Sequence, residues 1–196
     1  MTPLADEYLR SLPHGLASHP TALLKASVIR EILVNSDQER LAHALPPEIA
    51  TIVRSPPPVS AWVPEVQATV LFATDIDVTH NGSVDAWLAT GRTSNQRIMK
   101  SPLYRAMFFL VGPERLLKNG GKRWNQLRQG STLTSEVGDG CATITLRFPN
   151  KLVPRFMARM RAVTFEVVLE VAGAKEGKVS LRSLDDDTAV FEGTWR

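Results

Sequence analysis

The chain has 196 residues, of which 43% are hydrophobic and 22% are charged, and its formal net charge at pH 7 is +3. This length and composition allow one ordinary apolar core and exclude a disordered chain, and the single cysteine excludes an internal disulfide framework. Because there is no secretory leader and no apolar run long enough to cross a bilayer, we expect a cytoplasmic protein without a membrane span.

The first part of the chain is predicted to form short helices separated by prolines and polar breaks. Ser55–Pro58 contains three consecutive prolines and is predicted to be an extended connector. We therefore predict an N-terminal helical extension over residues 1–54 and an α+β ligand-binding-like domain over residues 55–196. The helices predicted before the connector are Ala5–Leu12, a segment from Ser18 or Thr21 to Val34, Gln38–Leu45 and Glu48–Val53.

The middle of the chain is predicted to be helical. Met107–Leu110 is apolar on every side of its predicted helix, which indicates burial. Glycine and proline pairs divide this region into separate segments. The predicted helices are Trp62–Ile76, Val84–Met99, Leu103–Val111, Glu114–Lys118 and Lys122–Gln129.

The last third of the chain alternates strand and helix patterns. Ser131–Val137 and Cys141–Phe148 form one predicted hairpin, and Val179–Leu184 and Thr188–Trp195 form another. Between them, Lys151–Ala172 is predicted to be one long amphipathic helix. This β-β-α-β-β unit predicts an α+β fold in which N-terminal helices precede a four-stranded antiparallel sheet. The apolar face predicted for the long helix comprises Leu152, Phe156, Met160, Val163, Val167 and Val171.

Charge is unevenly distributed along the sequence. Residues 55–91 contain four acidic residues and no Lys or Arg, whereas residues 92–129 contain nine Lys or Arg and one acidic residue. Such a distribution favours an acidic protein partner or self-association as a homodimer. We do not expect nucleic-acid binding, because the basic residues span several elements and match no reader motif. The candidate partner-binding residues are Arg92, Arg97, Lys118, Lys122 and Arg123.

The motifs that would indicate an enzyme or a metal site are incomplete. The acidic loop after Asp75 has His80 and Ala86 where a calcium loop needs glycine and glutamate. The four histidines are not spaced as metal ligands, and Cys141 has no base nearby in the sequence. We therefore predict a protein that is not an enzyme, with no metal and no cofactor.

Aromatic residues are the best candidates for contacts with a small molecule. Tryptophan can line an apolar cavity while its N–H remains at the polar rim. The same residues fall at otherwise apolar positions, so we expect most of them to belong to the core. The candidate ligand-binding residues are Trp62, Tyr104, Trp124 and Trp195.

A series of short motifs from Leu45 to the C-terminus resembles a myxobacterial paralogous family of unknown function. The residues that carry this resemblance are Leu45–Glu48, Ser60–Pro64, Gly91-Arg92, Ser101–Arg105, Gly112–Leu117, Trp124, Gly130 and Thr194-Trp195. That family is similar in layout to the superfamily of haem-NO-binding, four-vinyl-reductase and Golgi-transport ligand-binding domains, in which helices precede a β-β-α-β-β unit.

The resemblance implies a non-enzymatic signalling-type module that binds a small apolar or amphipathic ligand between its sheet and helices. Haem-binding members of the superfamily carry a Tyr-x-Ser-x-Arg motif late in the chain, and this sequence has no match to it. No haem ligand is therefore carried over. The alternative is a homodimeric interaction scaffold that uses the charge-segregated surface.

Overall fold

The computed structural model describes residues 1–100, the last by its backbone alone, and residues 112–196. The predicted helix Leu103–Val111 and the candidate residue Tyr104 lie outside the described residues. Within those two ranges, no helix is long and apolar enough to cross a membrane.

The described residues before Gly130 form helices and a small three-stranded sheet. Its strands follow the order β2-β1-β3 and pair antiparallel, so that Leu24 lies between Val63 and Arg128. The strands are β1 (Leu23–Lys25), β2 (Trp62–Pro64) and β3 (Arg128–Gln129). The helices are α1 (Pro3–Ser11), α2 (Ala26–Leu33), α3 (Gln38–Ala44), α4 (Pro47–Arg54), α5 (Glu65–Thr79), α6 (Val84–Lys100), α7 (Pro113–Lys118) and α8 (Gly120–Trp124).

This small sheet corrects three predicted helix boundaries. The helix predicted up to Val34 begins only at Ala26, and the helix predicted over Trp62–Ile76 begins only at Glu65. The segment predicted to be helical over Lys122–Gln129 ends in a strand. In each case a segment of two or three residues pairs with a strand that is distant in the sequence. The helical periodicity of the sequence gives no information about such a pairing. Because β1 pairs with strands beyond residue 54, this sheet crosses the predicted domain boundary, which stays a prediction.

The C-terminal part confirms the predicted β-β-α-β-β unit. Its strands are β4 (Thr132–Val137), β5 (Cys141–Arg147), β6 (Lys178–Leu184) and β7 (Thr188–Thr194), with helix α9 (Arg155–Val171) between the two hairpins. They form one antiparallel sheet in the order β4-β5-β7-β6. Ile144 opposes Phe191 across the central pair, and both side chains are fully buried beneath α9.

Helix α9 lies between this sheet and α6, and therefore buries a wider face than the sequence predicts. Phe156 and Met160 are buried as expected, whereas Val163 and Val171 are only half-buried. The additional buried side chains of α9 include Met157, Arg161, Phe165 and Leu169. A helix contacted on two sides needs more than one apolar stripe, because each neighbouring element covers its own part of the helix.

Candidate ligand-binding cavity

A cavity of about 130 Å³ lies between the N-terminal helices, α9 and the edge of the C-terminal sheet. Helices α2, α6, α7, α8 and α9 and strands β3 and β4 all contribute to its wall. Most of the wall is apolar, with a few polar side chains. The described lining residues are Val28, Asn95, Ile98, Met99, Leu116, Leu117, Gly120, Arg123, Trp124, Leu127, Arg128, Leu133, Arg161, Thr164, Phe165 and Val168.

A buried carboxylate adjoins this cavity at the start of α5. Glu65 is 2% exposed, and its backbone N–H donates to the carbonyl of Ala22 at 2.8 Å. The residue is held there because β2 ends at Pro64 and the chain turns directly into α5. The three-stranded sheet thus fixes the carboxylate close to β3.

Two arginines donate to the same oxygen of this carboxylate. Arg128 on β3 donates from Nη1 to Glu65 Oε1 at 2.5 Å, and Arg161 on α9 donates from Nη2 to that oxygen at 2.6 Å. Both guanidinium side chains are buried, and both line the cavity. In the part of the chain that the structure describes, Arg161 Nε and Glu65 Oε2 are buried without a hydrogen-bond partner. The site therefore has unused donor and acceptor capacity.

Trp124 lies against both arginines. The guanidinium carbon of Arg128 is 5.1 Å from the centre of the Trp124 ring, and that of Arg161 is 5.3 Å from it. The indole Nε1–H donates to Ser131 Oγ at 2.9 Å, which fixes the ring in place. Stacking of cations on an aromatic face offsets part of the cost of burying their charge.

The electrostatic balance of this cluster is positive. One carboxylate faces two guanidinium groups, so one positive charge is left without a carboxylate of its own. Burial, reinforced by the positive charge of Arg161, lowers the pKa of Arg128 to about 9. Burial likewise lowers the pKa of Arg161, and the Glu65 carboxylate opposes that shift. Both guanidinium groups nevertheless remain protonated at neutral pH.

The predicted ligand-binding residues that the structure describes do not lie together at one site. Trp124 is 9% exposed and lines the cavity. Trp62 is half-buried on β2, where Lys25 Nζ lies 3.9 Å from its ring centre. Trp195 follows β7, and its backbone N–H donates to the carbonyl of Gly140 at 2.9 Å. Because neither Trp62 nor Trp195 is among the described lining residues, a ligand role for these two stays a prediction.

The predicted partner-binding residues also separate into groups. Arg92 pairs with Glu166 and Glu170, and Arg97 Nη1 lies 2.6 Å from Glu31 Oε1. Lys118 and Lys122 are exposed on α7 and α8, and Arg123 lines the cavity. Of the acidic segment, Glu65 and Asp75 are buried, so their charges are not presented to a partner. The exposed surface is thus less segregated in charge than the sequence indicates.

The site residues predicted from the sequence do not include Glu65, Arg128 or Arg161. A signal was present for two of them, Glu65 and Arg161. Glu65 directly follows Pro64 at the start of a strongly apolar segment, and Arg161 lies within the long predicted amphipathic helix next to Met160. A charged residue on a buried helix face needs a partner, which marks it as part of a network. Which residues would pair could not be read from the sequence, because the partners are far apart along the chain.

The described residues contain no group of three or more His, Cys, Asp or Glu side chains arranged to hold a metal ion. Cys141 is exposed on β5, on the face opposite the buried Ala142, as the strand alternation predicts. The cavity with its buried charged cluster is therefore the best-formed candidate site among the described residues.

These elements form an α+β fold like that of H-NOX structures. The resemblance to the haem-NO-binding superfamily implies the same layout. A structure from a study of haem distortion in the H-NOX family matches with a TM-score of 0.64 at 10% identity, over 88% of this chain and 95% of that one. An oxygen-binding H-NOX domain related to soluble guanylate cyclases, in its oxygen complex, matches with a TM-score of 0.61 at 11% identity, over 87% of this chain and 92% of that one.

The Fe(II) unliganded H-NOX protein from K. algicida gives a TM-score of 0.60 at 12% identity, over 88% of this chain and 97% of that one. No family model and no curated protein matches the sequence. At such low identity the likeness to H-NOX structures establishes the fold alone.

Proposed function

We propose that this protein is a non-enzymatic signalling-type module that binds a small apolar or amphipathic molecule in the cavity beside Trp124. The observation that carries the proposal is a cavity of about 130 Å³ whose wall is mostly apolar and includes two buried arginines. Sites for small molecules combine such an apolar wall with a few well-placed polar groups. The H-NOX fold supports the proposal by analogy, since one of its solved neighbours is an oxygen-binding domain.

The residues present do not fit a haem. Pockets that hold drug-sized ligands have volumes of roughly 300–1,000 Å³, and this cavity has only about 130 Å³. The described lining contains no histidine, cysteine or tyrosine, and its one methionine, Met99, belongs to a residue type that ligates haem iron together with a histidine. Residues 101–111 contain no histidine or cysteine, and their one tyrosine is Tyr104. An engineered apolar cavity of roughly 150 Å³ binds benzene, so a ligand of one ring or a short chain suits this site better.

The resemblance to the myxobacterial paralogous family stays part of this proposal. The α+β fold with its C-terminal β-β-α-β-β unit supports this resemblance, because the layout of that family led us to expect such a fold. The homodimeric scaffold remains the alternative, and it now depends on the exposed Lys118 and Lys122 more than on Arg92 and Arg97, which pair within the chain.

The proposal is tested by filling the cavity. Val168 and Val163 are both half-buried on α9, but only Val168 lines the cavity. We expect toluene to raise the melting temperature of the wild-type protein and of Val163→Phe, but not that of Val168→Phe. Ile98→Phe, a substitution on α6, provides a second filling variant in case Val168→Phe does not fold. An equal rise in all variants, or no rise and no calorimetric binding in the wild type, would contradict the proposal.

A further inference from the structure

The charges in the cavity wall indicate which small molecules would bind there, if the proposed ligand-binding function holds. Every charged residue of the described lining is an arginine: Arg123, Arg128 and Arg161. Glu65 is not among the described lining residues, although it holds two of these arginines. A molecule in the cavity therefore meets guanidinium groups, the neutral polar side chains of Asn95 and Thr164, and apolar side chains.

The cluster of Glu65, Arg128 and Arg161 has a single excess positive charge. Both arginines share Glu65 Oε1, at 2.5 and 2.6 Å, instead of each pairing with its own carboxylate. Both side chains are buried, at 10% and 4% exposure, so water screens this charge poorly. Burying an uncompensated charge is costly, and a bound anion would remove that cost.

The donors for such an anion already exist. Arg161 Nε is buried and has no hydrogen-bond partner among the residues described. Guanidinium groups bind carboxylates with planar, charge-assisted hydrogen bonds. Next to these donors, the wall contains Trp124, Phe165 and Leu133, which suit an apolar body.

We propose that the cavity is a binding site for a small monocarboxylic acid, whose carboxylate pairs with Arg161 and Arg128 while its apolar body lies against Trp124 and Phe165. The single excess charge matches a ligand with one negative charge. The volume limits the apolar body to about the size of one aromatic ring or a short acyl chain. A neutral molecule of the same shape would leave the excess positive charge uncompensated.

The test compares benzoate with benzamide, which has nearly the same shape and no charge, by calorimetry on the full chain at pH 7. We expect benzoate to bind at least tenfold more tightly than benzamide. Inorganic phosphate is the third probe: if it competes with benzoate at equal concentration, the site takes a small inorganic anion and the proposal is overturned. If benzamide and toluene bind but benzoate binds no more tightly, the ligand-binding function stands and the proposal for an acid fails. If none binds, the proposed function itself fails.

Two variants change the charge in opposite directions. Arg161→Gln should reduce the benzoate affinity at least tenfold and the benzamide affinity by a much smaller factor, because only benzoate loses a charge partner. Glu65→Gln keeps an oxygen that can accept from the arginines but removes the negative charge, so benzoate affinity should rise. The opposite signs keep the proposal falsifiable even if one variant fails to fold. Arg182→Gln, at an exposed position on β6, is the control and should change neither affinity. Equal benzoate affinity in all four proteins would overturn the proposal.

Discussion

Arg161 Nη2 lies 2.6 Å from Glu65 Oε1, although the two residues are 96 positions apart in the sequence. The contact joins the first turn of α5 to the middle of α9, and Arg128 joins β3 to the same oxygen. One carboxylate thus connects the small sheet with the helix that covers the large sheet. The cluster is both a structural link between the two halves of the fold and the charged end of the candidate site.

Removal of this carboxylate should be strongly destabilising. In Glu65→Ala, two buried guanidinium groups lose their shared partner, and breaking a buried ion pair in this way costs about 3–5 kcal/mol. We expect the free energy of unfolding, measured by urea titration, to fall by that amount. The matched control is Glu192→Ala, because Glu192 pairs with Arg182 at 2.9 Å while both side chains are more than half exposed. An exposed pair contributes at most about 1 kcal/mol, so equal losses in the two variants would contradict the role of the buried cluster.

Two adjacent glycines in α8 should respond differently to alanine. A Cβ atom added at Gly121 would lie 2.6 Å from the backbone carbonyl oxygen of Leu133, whereas one added at Gly120 would meet only a methyl group of Leu133, at 3.4 Å. A backbone atom on β4 cannot move aside as a side chain can, so Gly121→Ala should lower stability by about 1–3 kcal/mol. Gly120→Ala should be close to neutral in the same thermal unfolding measurement. A neutral Gly121→Ala would show that α8 does not pack this closely on β4.

The sequence was sufficient for the C-terminal unit because its signals are local. The alternation in β5 leaves Ala142, Ile144 and Leu146 on one face of the strand, and all three are buried. Strands β1, β2 and β3 have only two or three residues each and pair over long distances, so no periodicity could develop in them. The small sheet therefore could not be predicted, although it positions Glu65 and Arg128.

Only part of the candidate site could be predicted, because the residues that form it are also far apart in the sequence. Aromatic composition led to Trp124, which lines the cavity, but gave no means of separating it from Trp62 and Trp195. The basic segment over residues 92–129 contains Arg123 and Arg128, and its charge was interpreted as part of the protein surface. The sequence does not reveal that Arg128 is buried, because burial is a property of the folded chain. A buried arginine is recognised only when its carboxylate partner is known.

Helix α9 allows a test of how far its apolar stripe is buried. Phe156 is 6% exposed and packs edge-on against Trp87 with ring centres 6.0 Å apart, whereas Val163 is only half-buried. The sequence pattern treats these two positions as equivalent. We expect Phe156→Asp to abolish the folded state, because it removes a core aromatic and buries an unpaired charge. Val163→Asp should remain folded with a reduced melting temperature. Cooperative unfolding of Phe156→Asp near the wild-type temperature would contradict this packing.

Tyr8 connects the N-terminal helix to the segment between β5 and α9. Its hydroxyl donates to the backbone carbonyl of Leu152 at 2.9 Å, and the side chain is 3% exposed. Burial, assisted by the negative charge of Glu65, raises the pKa of Tyr8 above its ordinary value of about 10. The unfolded chain therefore releases the Tyr8 proton at a lower pH than the folded protein does.

This difference predicts how the stability of Tyr8→Phe depends on pH. Below pH 10, where tyrosine keeps its proton in both states, the variant should be less stable than wild type by about 1 kcal/mol, since the hydrogen bond to Leu152 is lost. As the pH rises above 10, ionisation of Tyr8 in the unfolded wild type lowers wild-type stability, by roughly 1.4 kcal/mol per pH unit. The variant has no such proton at this position, so the stability gap should narrow and close by about pH 11. Urea unfolding of both proteins at pH 8, 10 and 11 measures the gap, and a constant gap would show that the Tyr8 hydroxyl is not buried.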